Sequence, residues 1–492
     1  MANVIEITTM CRNGQVQEAY DLAKHDLELQ PADVWLQRAL GWALYYMMKN
    51  LAERGDYEKL LECIDELKTL DQITSEDMVF DNVQFPIANF IRLRGNMSDI
   101  EASTKLSMLF QKLKDYTFNP SRGHSFLLQV VIKYESWSEL ADFLDWWNLD
   151  NLTEEDYTPF VNQKGQKMMT LAERAFIANS KALLKLHDAG RIEEFLPKLD
   201  TLMNQHEDMM YPGYFYGKLL LALGENMNEA LKVLIPFAQK KITEFWVWQL
   251  LSDVFVNDKE KQLACLLRAV HCRTQEVFLG KVRTKLAALY IERQLFANAR
   301  YHIDAVVRCY ASQGWRLPNE IDCWIHQPWI TTTVPDAHDP VDYKTITDDI
   351  LCNGAEECVA VVTYVDQKNH KATMIYGYHQ RMTQKMRFKV TAGNTLKLHY
   401  IKDKEGKIRV LTAGKSQLSR DNDYAKYVDG TIDKREEKEF AFLKTDSCRY
   451  FVSPAVVKKN NLKNGDHVRS LIVCDYDKKK NSWNWVCVNV KK

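Results

Sequence analysis

Three phenyl groups late in the sequence have the type and spacing to hold nucleobases. Lys438-Glu-Phe-Ala-Phe-Leu443 is followed by Tyr450-Phe-Val-Ser453. A strand sends successive side chains to opposite faces. Phe440 and Phe442 therefore share one face, with Ala441 and Leu443 on the other. Phe451 and Ser453 share a face in the same way, with Val452 behind them. If the two strands pair, three rings stand on one sheet surface, with Lys434, Lys438 and Arg449 close by in sequence. Rings that stack on bases, set among cations that meet phosphates, make a platform for single-stranded nucleic acid. The competing reading is that the rings are barrel core; their alternation with Ala, Leu and Val argues against it.

Other chemistries are poorly supported. Gly414-Lys415-Ser416 suggests a phosphate loop, but the motif needs a glycine five positions earlier, where Arg409 stands. Asp336, His338 and Asp339 sit in a proline-rich connector. Cys323 with His326, and Cys352 with Cys358, lack the paired tight spacing of a structural zinc site. No cofactor, metal or catalytic residue is expected, and the chain reads as a non-enzyme.

The order Gly430-Thr-Ile, Lys438-Glu-Phe-Ala-Phe-Leu443, Tyr450-Phe-Val-Ser453, Leu462-Lys-Asn-Gly-Asp-His-Val468 resembles a cold-shock domain, a small OB barrel. The resemblance places Phe440 and Phe442 on the ring positions of the first RNA-binding strand and Phe451 on that of the second. Lys434 stands where the family usually has tryptophan, and Ser453 where it has histidine, so two stacking partners are missing.

A diverged copy of this barrel is expected upstream. Ile375-Tyr-Gly-Tyr378 mirrors the Phe440 strand, with Tyr376 and Tyr378 as ring positions. Met386-Arg-Phe-Lys-Val390 mirrors the Tyr450 strand, with Phe388 as its ring. Gly393-Asn-Thr-Leu396 mirrors Gly465-Asp-His-Val468. Lysine-rich turns follow in both, at Lys402–Lys407 and Asp477–Lys480. Tandem barrels would add avidity for one strand.

The elements before these are helical. Residues 1 to about 312 show apolar residues at helical spacing. The segments ending at Phe195, Ala230, Ala264 and Ala299 look equivalent, at intervals of 35, 34 and 35 residues, near the tetratricopeptide period. Asn13 to Leu40-Gly41, with the small Ala19, and Trp137-Ser-Glu-Leu-Ala141 resemble further copies; between Leu70 and Pro120 no repeat is readable. The fold class is thus an N-terminal α-solenoid of degenerate tetratricopeptide-like repeats, then two small antiparallel OB or cold-shock-like β-barrels. The expected divisions are 1–160 and 161–312 (helical), 313–352 (a Pro/Trp connector packed on the last helices), 353–418 (first barrel) and 424–492 (second barrel). Trp246, Trp248 and the Tyr211–Tyr216 cluster are expected in the inter-repeat core, with a peptide groove as the alternative.

Charge follows the same division. The chain of 492 residues carries 65 Lys and Arg against 66 Asp and Glu. From Val341 onward there are 29 against 19, leaving 36 against 47 before it. The basic last third fits a phosphate binder, and the acidic remainder argues against nucleic acid along the solenoid. No run approaches a membrane span, and no secretory signal opens the sequence. Eleven cysteines scattered singly fit reduced thiols, so a cytoplasmic location is expected.

The whole arrangement is similar to accessory proteins of the prokaryotic TOTE conflict systems. That resemblance implies an antiviral adaptor: single-stranded nucleic acid, RNA favoured, on the barrels, a protein partner on the solenoid, and catalysis by other subunits. The alternatives are a pure protein scaffold and, less favoured, an unrecognised nuclease.

Overall fold

The computed structural model describes residues 3–92, 98–224, 227–386, 388–403, 406–417, 421–477 and 480–491. Parts of several sequence features lie outside these residues: 225–226 in the second repeat segment, 387 in the expected strand 386–390, 404–405 and 478–479 in the lysine-rich turns, and 418, the expected end of the first barrel. The chain forms two compact units, Met1–Phe237 and Ala238–Lys492. Among the described residues no helix is long and apolar enough to cross a membrane.

The first unit is built from helices, several of which are capped at their start by a side chain. Asp33, Asp56, Ser121 and Asp188 each accept a hydrogen bond from a backbone N–H in the first turn that they open, satisfying donors that have no partner within the helix. Small residues sit where helices meet: Ala19 is fully buried, and a Cβ on Gly41 would lie 2.9 Å from Val79. The unreadable stretch after Leu70 is also helical, at Met78–Arg92 and Asp99–Leu113.

The repeat positions lie on every second helix, Ala189–Gln205, Met227–Lys240, Lys259–Val270 and Phe296–Gln313. Phe195, Ala230, Ala264 and Ala299 are all buried there. The 34–35-residue period is thus the period of a helical hairpin. Trp248 is wholly buried and donates Nε1–H to the Ile242 carbonyl at 2.9 Å, while Tyr211, Tyr214 and Tyr216 pack against core.

In the second unit two of the connector prolines start short helices. Pro318 precedes Asn319–Ile325, and Pro328 opens Pro328–Thr332, where its missing N–H costs nothing. Trp324 and Trp329 pack on a cluster containing Ala287, Ile303 and Val306, whereas Trp315 stays half exposed. Helix Tyr343–Cys352 then leads into the strands.

Two all-β modules follow. The first has β1 (Glu356–Asp366), β2 (Lys371–Gly377), β3 (Gln380–Lys385), β4 (Thr395–Lys402) and β5 (Ile408–Ser416), in spatial order β3-β2-β1-β4-β5. The second has β6 (Ala425–Asp433), β7 (Ala441–Lys444), β8 (Arg449–Val452), β9 (His467–Asp477) and β10 (Ser482–Lys491). Its order, β8-β7-β6-β9-β10, is that of the first module strand for strand. The difference is closure: β10 also pairs in parallel with β8, at Val486–Phe451 and Cys487–Val452. The first module is a half-barrel and the second a closed, OB-like barrel. Gly393 and Gly465 precede the equivalent strands β4 and β9 with φ of +87° and +83°, a region glycine enters at no steric cost.

The modules are fused. Val361 and Ile375 of the first share an apolar cluster with Ala425, Leu471, Val473 and Val488 of the second. Tyr424 donates its hydroxyl to the Val359 carbonyl at 2.6 Å. The His379 ring lies between those of Tyr378 and Trp483, at 4.0 and 4.8 Å, nearly parallel to both.

Candidate nucleic-acid interface

The barrel core is made of Ile432, Ala441, Leu443, Tyr450, Val452 and their neighbours. Since side chains alternate along a strand, burying Ala441, Leu443 and Val452 turns Phe442 and Phe451 outward. These two are directly paired across β7 and β8. Phe440, just before β7, completes the group. Ring centroids are 5.8 Å apart for Phe440–Phe442, 5.7 Å for Phe440–Phe451 and 6.1 Å for Phe442–Phe451. Phe451 is 40% exposed, and Phe440 and Phe442 are half-buried. Each ring thus lies partly against its neighbours and partly open to solvent.

The three cations differ in their freedom. Arg449 lies 5.0 Å over the Phe442 ring and is ion-paired with Asp433. Lys434 is half-buried, and its backbone N–H is tied to Asn464 Oδ1 at 3.0 Å. Lys438 is exposed in the turn before β7.

Lys444, His467 and Arg469, missed from sequence, share this outer face by register. Lys444 pairs with Thr431, Thr431 with His467, and Asp429 with Arg469. His467 Nδ1 is 3.1 Å from Thr431 Oγ1, and Arg469 lies 5.4 Å over Tyr427. The signal was the exposed–buried alternation at the start of β9, where Val468 and Ser470 point inward.

Ser453 departs from expectation. It lies beyond the end of β8 and caps helix Pro454–Lys459, its hydroxyl accepting from Val456 N–H at 3.4 Å. It therefore shares no strand face with Phe451.

The upstream ring positions also need correcting. Met386 and residues 388–390 lie in no strand, and 387 lies outside the described residues; the partner of β2 is β3, residues 380–385. Register fixes the equivalences. Val361 pairs with Ile375 and Thr395 as Thr431 pairs with Lys444 and His467. Counting back along β2, Phe442 corresponds to Thr373, and its partner Phe451 corresponds to Thr383. Those two threonines are indeed paired, with hydroxyls 3.0 Å apart. Tyr376 and Phe388 instead pack against the half-barrel's core, and Tyr378, 56% exposed, sits in the β2–β3 turn.

Two of the half-barrel's lysines are engaged in ion pairs. Lys402 pairs with Glu356 at 2.7 Å and Lys397 with Glu357 at 2.9 Å. Lys402, and then the Tyr400 hydroxyl, hold the Glu356 carboxyl below its usual range. Burial, and then the same carboxylate, push the Tyr400 hydroxyl up to about 12. Gly414-Lys415-Ser416 lies in β5, away from any helix start that could cradle phosphate.

No curated protein matches the chain. Residues 210–349, in the helical part, match the model of a domain of unknown function (DUF7017). Residues 426–490, the closed barrel with its three outward phenyl groups, match that of S1/CSD-like domain 2 of the TOTE conflict systems.

Proposed function

We propose that the closed barrel binds single-stranded nucleic acid, RNA in preference to DNA, on the face that carries Phe440, Phe442 and Phe451. The observation that supports this most directly is the outward placement of three clustered rings over a core that does not need them. The likeness of the barrel to an S1/CSD-like domain of the TOTE conflict systems supports the same reading and suggests a prokaryotic conflict or antiviral role. On this reading the protein is a cytoplasmic adaptor. Its tetratricopeptide-like hairpins hold a protein partner, and the chemistry is done elsewhere.

The test is titration of labelled RNA and DNA oligonucleotides with the full chain and with a Phe440→Ala/Phe442→Ala variant. Each lost stack costs about 1–3 kcal/mol, so affinity should fall at least about tenfold. Unchanged affinity would sink the reading and leave a protein scaffold. Magnesium-dependent loss of the RNA, abolished by a point mutation, would instead make the protein a nuclease.

A further inference from the structure

We infer that a cleft between the last helical repeats and the half-barrel is a second site for the phosphate backbone of a single strand, separate from the phenyl platform. The choice of a strand as occupant rests on the reading above; the cleft itself does not.

The cleft has a volume of about 1200 Å³. Small-molecule pockets run to roughly 1,000 Å³, so it has room for more than one compact ligand. One wall is helical, with Arg268, His271, Arg273 and Lys344; the other is the half-barrel, with His370 and Lys385. The carboxylates lining it are Glu244 and Asp348, and Asp348 is paired with Arg268 at 3.4 Å. Arg273 and Lys385 are exposed and have no ion-pair partner among the described residues. Cations therefore face the cleft from both walls, in a helical stretch whose overall balance is acidic.

The walls also carry rings. Tyr343 on the helical side stacks on His271 at 4.8 Å, with planes 3° apart, and Phe388 lies on the other side. Unpaired cations interspersed with rings suit a strand of phosphates and bases better than an acidic peptide, which has no use for the rings. The walls are tied together. Arg409 of β5 donates to the Lys240 carbonyl at 2.9 Å, and Cys352 Sγ at the end of helix Tyr343–Cys352 lies 3.6 Å from Thr412 Oγ1 of β5. The cleft is thus a built feature of this unit.

The experiment is anisotropy titration of the full chain with a labelled single strand of about 30 nucleotides across a range of salt. Arg273→Gln/Lys385→Gln is compared with wild type and with Phe440→Ala/Phe442→Ala. Each phosphate contact on a single strand contributes about 0.7 to the slope of log affinity against log salt. The cleft variant should lose about 1.4 from that slope and bind several-fold more weakly at low salt. Arg273→Lys/Lys385→Arg should restore both. An unchanged slope overturns the cleft site while leaving the platform standing. An unchanged affinity in the phenyl variant, with the slope still falling in the cleft variant, overturns the platform alone. If polyglutamate competes with the strand in wild type, and the cleft variant binds less polyglutamate but as much strand, the occupant is a peptide and the inference fails.

Discussion

Thr373 and Thr383 face each other across β2 and β3, hydroxyl to hydroxyl at 3.0 Å, in the register positions that Phe442 and Phe451 hold in the barrel. The two modules share a strand order, but only one carries rings at this pair. The clustered outward rings are therefore on the second module, and the diverged first module carries threonines where a second set of rings would stand.

It follows that Tyr376 is a packing residue. Its ring meets Tyr400 edge-on at 6.2 Å and packs against the half-barrel's core. Tyr376→Ala should cost about 1–3 kcal/mol of stability, below the range for a fully buried aromatic. Oligonucleotide affinity should stay within about twofold. Denaturant melts alongside anisotropy check both, and a tenfold loss of affinity with unchanged stability would return Tyr376 to the binding surface.

Arg449 is restrained by Asp433. Both side chains are about half exposed, so the pair itself contributes little to stability. Removing the carboxylate frees a guanidinium already poised over Phe442. Asp433→Asn should tighten single-strand binding several-fold and add about 0.7 to the salt slope. A weaker complex would mean that Asp433 orients Arg449 toward the strand.

The fusion of the modules can be tested at glycine. Gly393 and Gly465 share a positive φ, but a Cβ on Gly393 would lie 2.4 Å from Asn489 Cβ, and one on Gly465 meets open space. Gly465→Ala should cost about 1–2 kcal/mol from backbone strain alone. Gly393→Ala should cost clearly more, since the β10 backbone at Val488 and Asn489 must also shift. Equal drops in melting temperature would argue against close packing at that junction.

The first unit should weaken in acid. His124 is buried, stacks on Trp147 at 4.3 Å and lies 3.0 Å from Gln84 Oε1. Burial holds its imidazole down at about 4, against about 6.5 in an unfolded chain. Between those values the unfolded state binds the extra proton. Stability is therefore full above pH 6.5 and falls as pH drops toward 4, by about 3 kcal/mol at most. Denaturation at pH 7 and pH 4 should show this loss in wild type and a smaller one in His124→Gln. Equal losses would assign the acid sensitivity to other groups.

The outward rings could be read from sequence because Phe440-Ala441-Phe442-Leu443 alternates cleanly: one face is wet and the other is core. The helical period could be read because hairpins need small residues at fixed intervals, as at Ala230, Ala264 and Ala299. The upstream module was harder. β3 is a polar edge strand, Gln-Arg-Met-Thr-Gln-Lys, paired on one side only, so hydrophobicity does not mark it. Met386–Val390 has the better strand pattern, but its described residues, 386 and 388–390, lie in no strand. Val361 and Val362 are both fully buried, one against the barrel and one in the half-barrel core, so β1 reads as uniformly apolar and hides the fusion. The cleft draws its cations from segments more than a hundred residues apart, Arg273 and Lys385, which no local pattern joins.

The parallel contact of β10 with β8 bears on how the protein is made. Until residues 482–491 leave the ribosome, the strand bearing Phe451 has a bare hydrogen-bonding edge beside three greasy rings, the kind of surface that seeks the same edge on another nascent chain. Strand β10 covers that edge, so a chain truncated before Ser482 should aggregate.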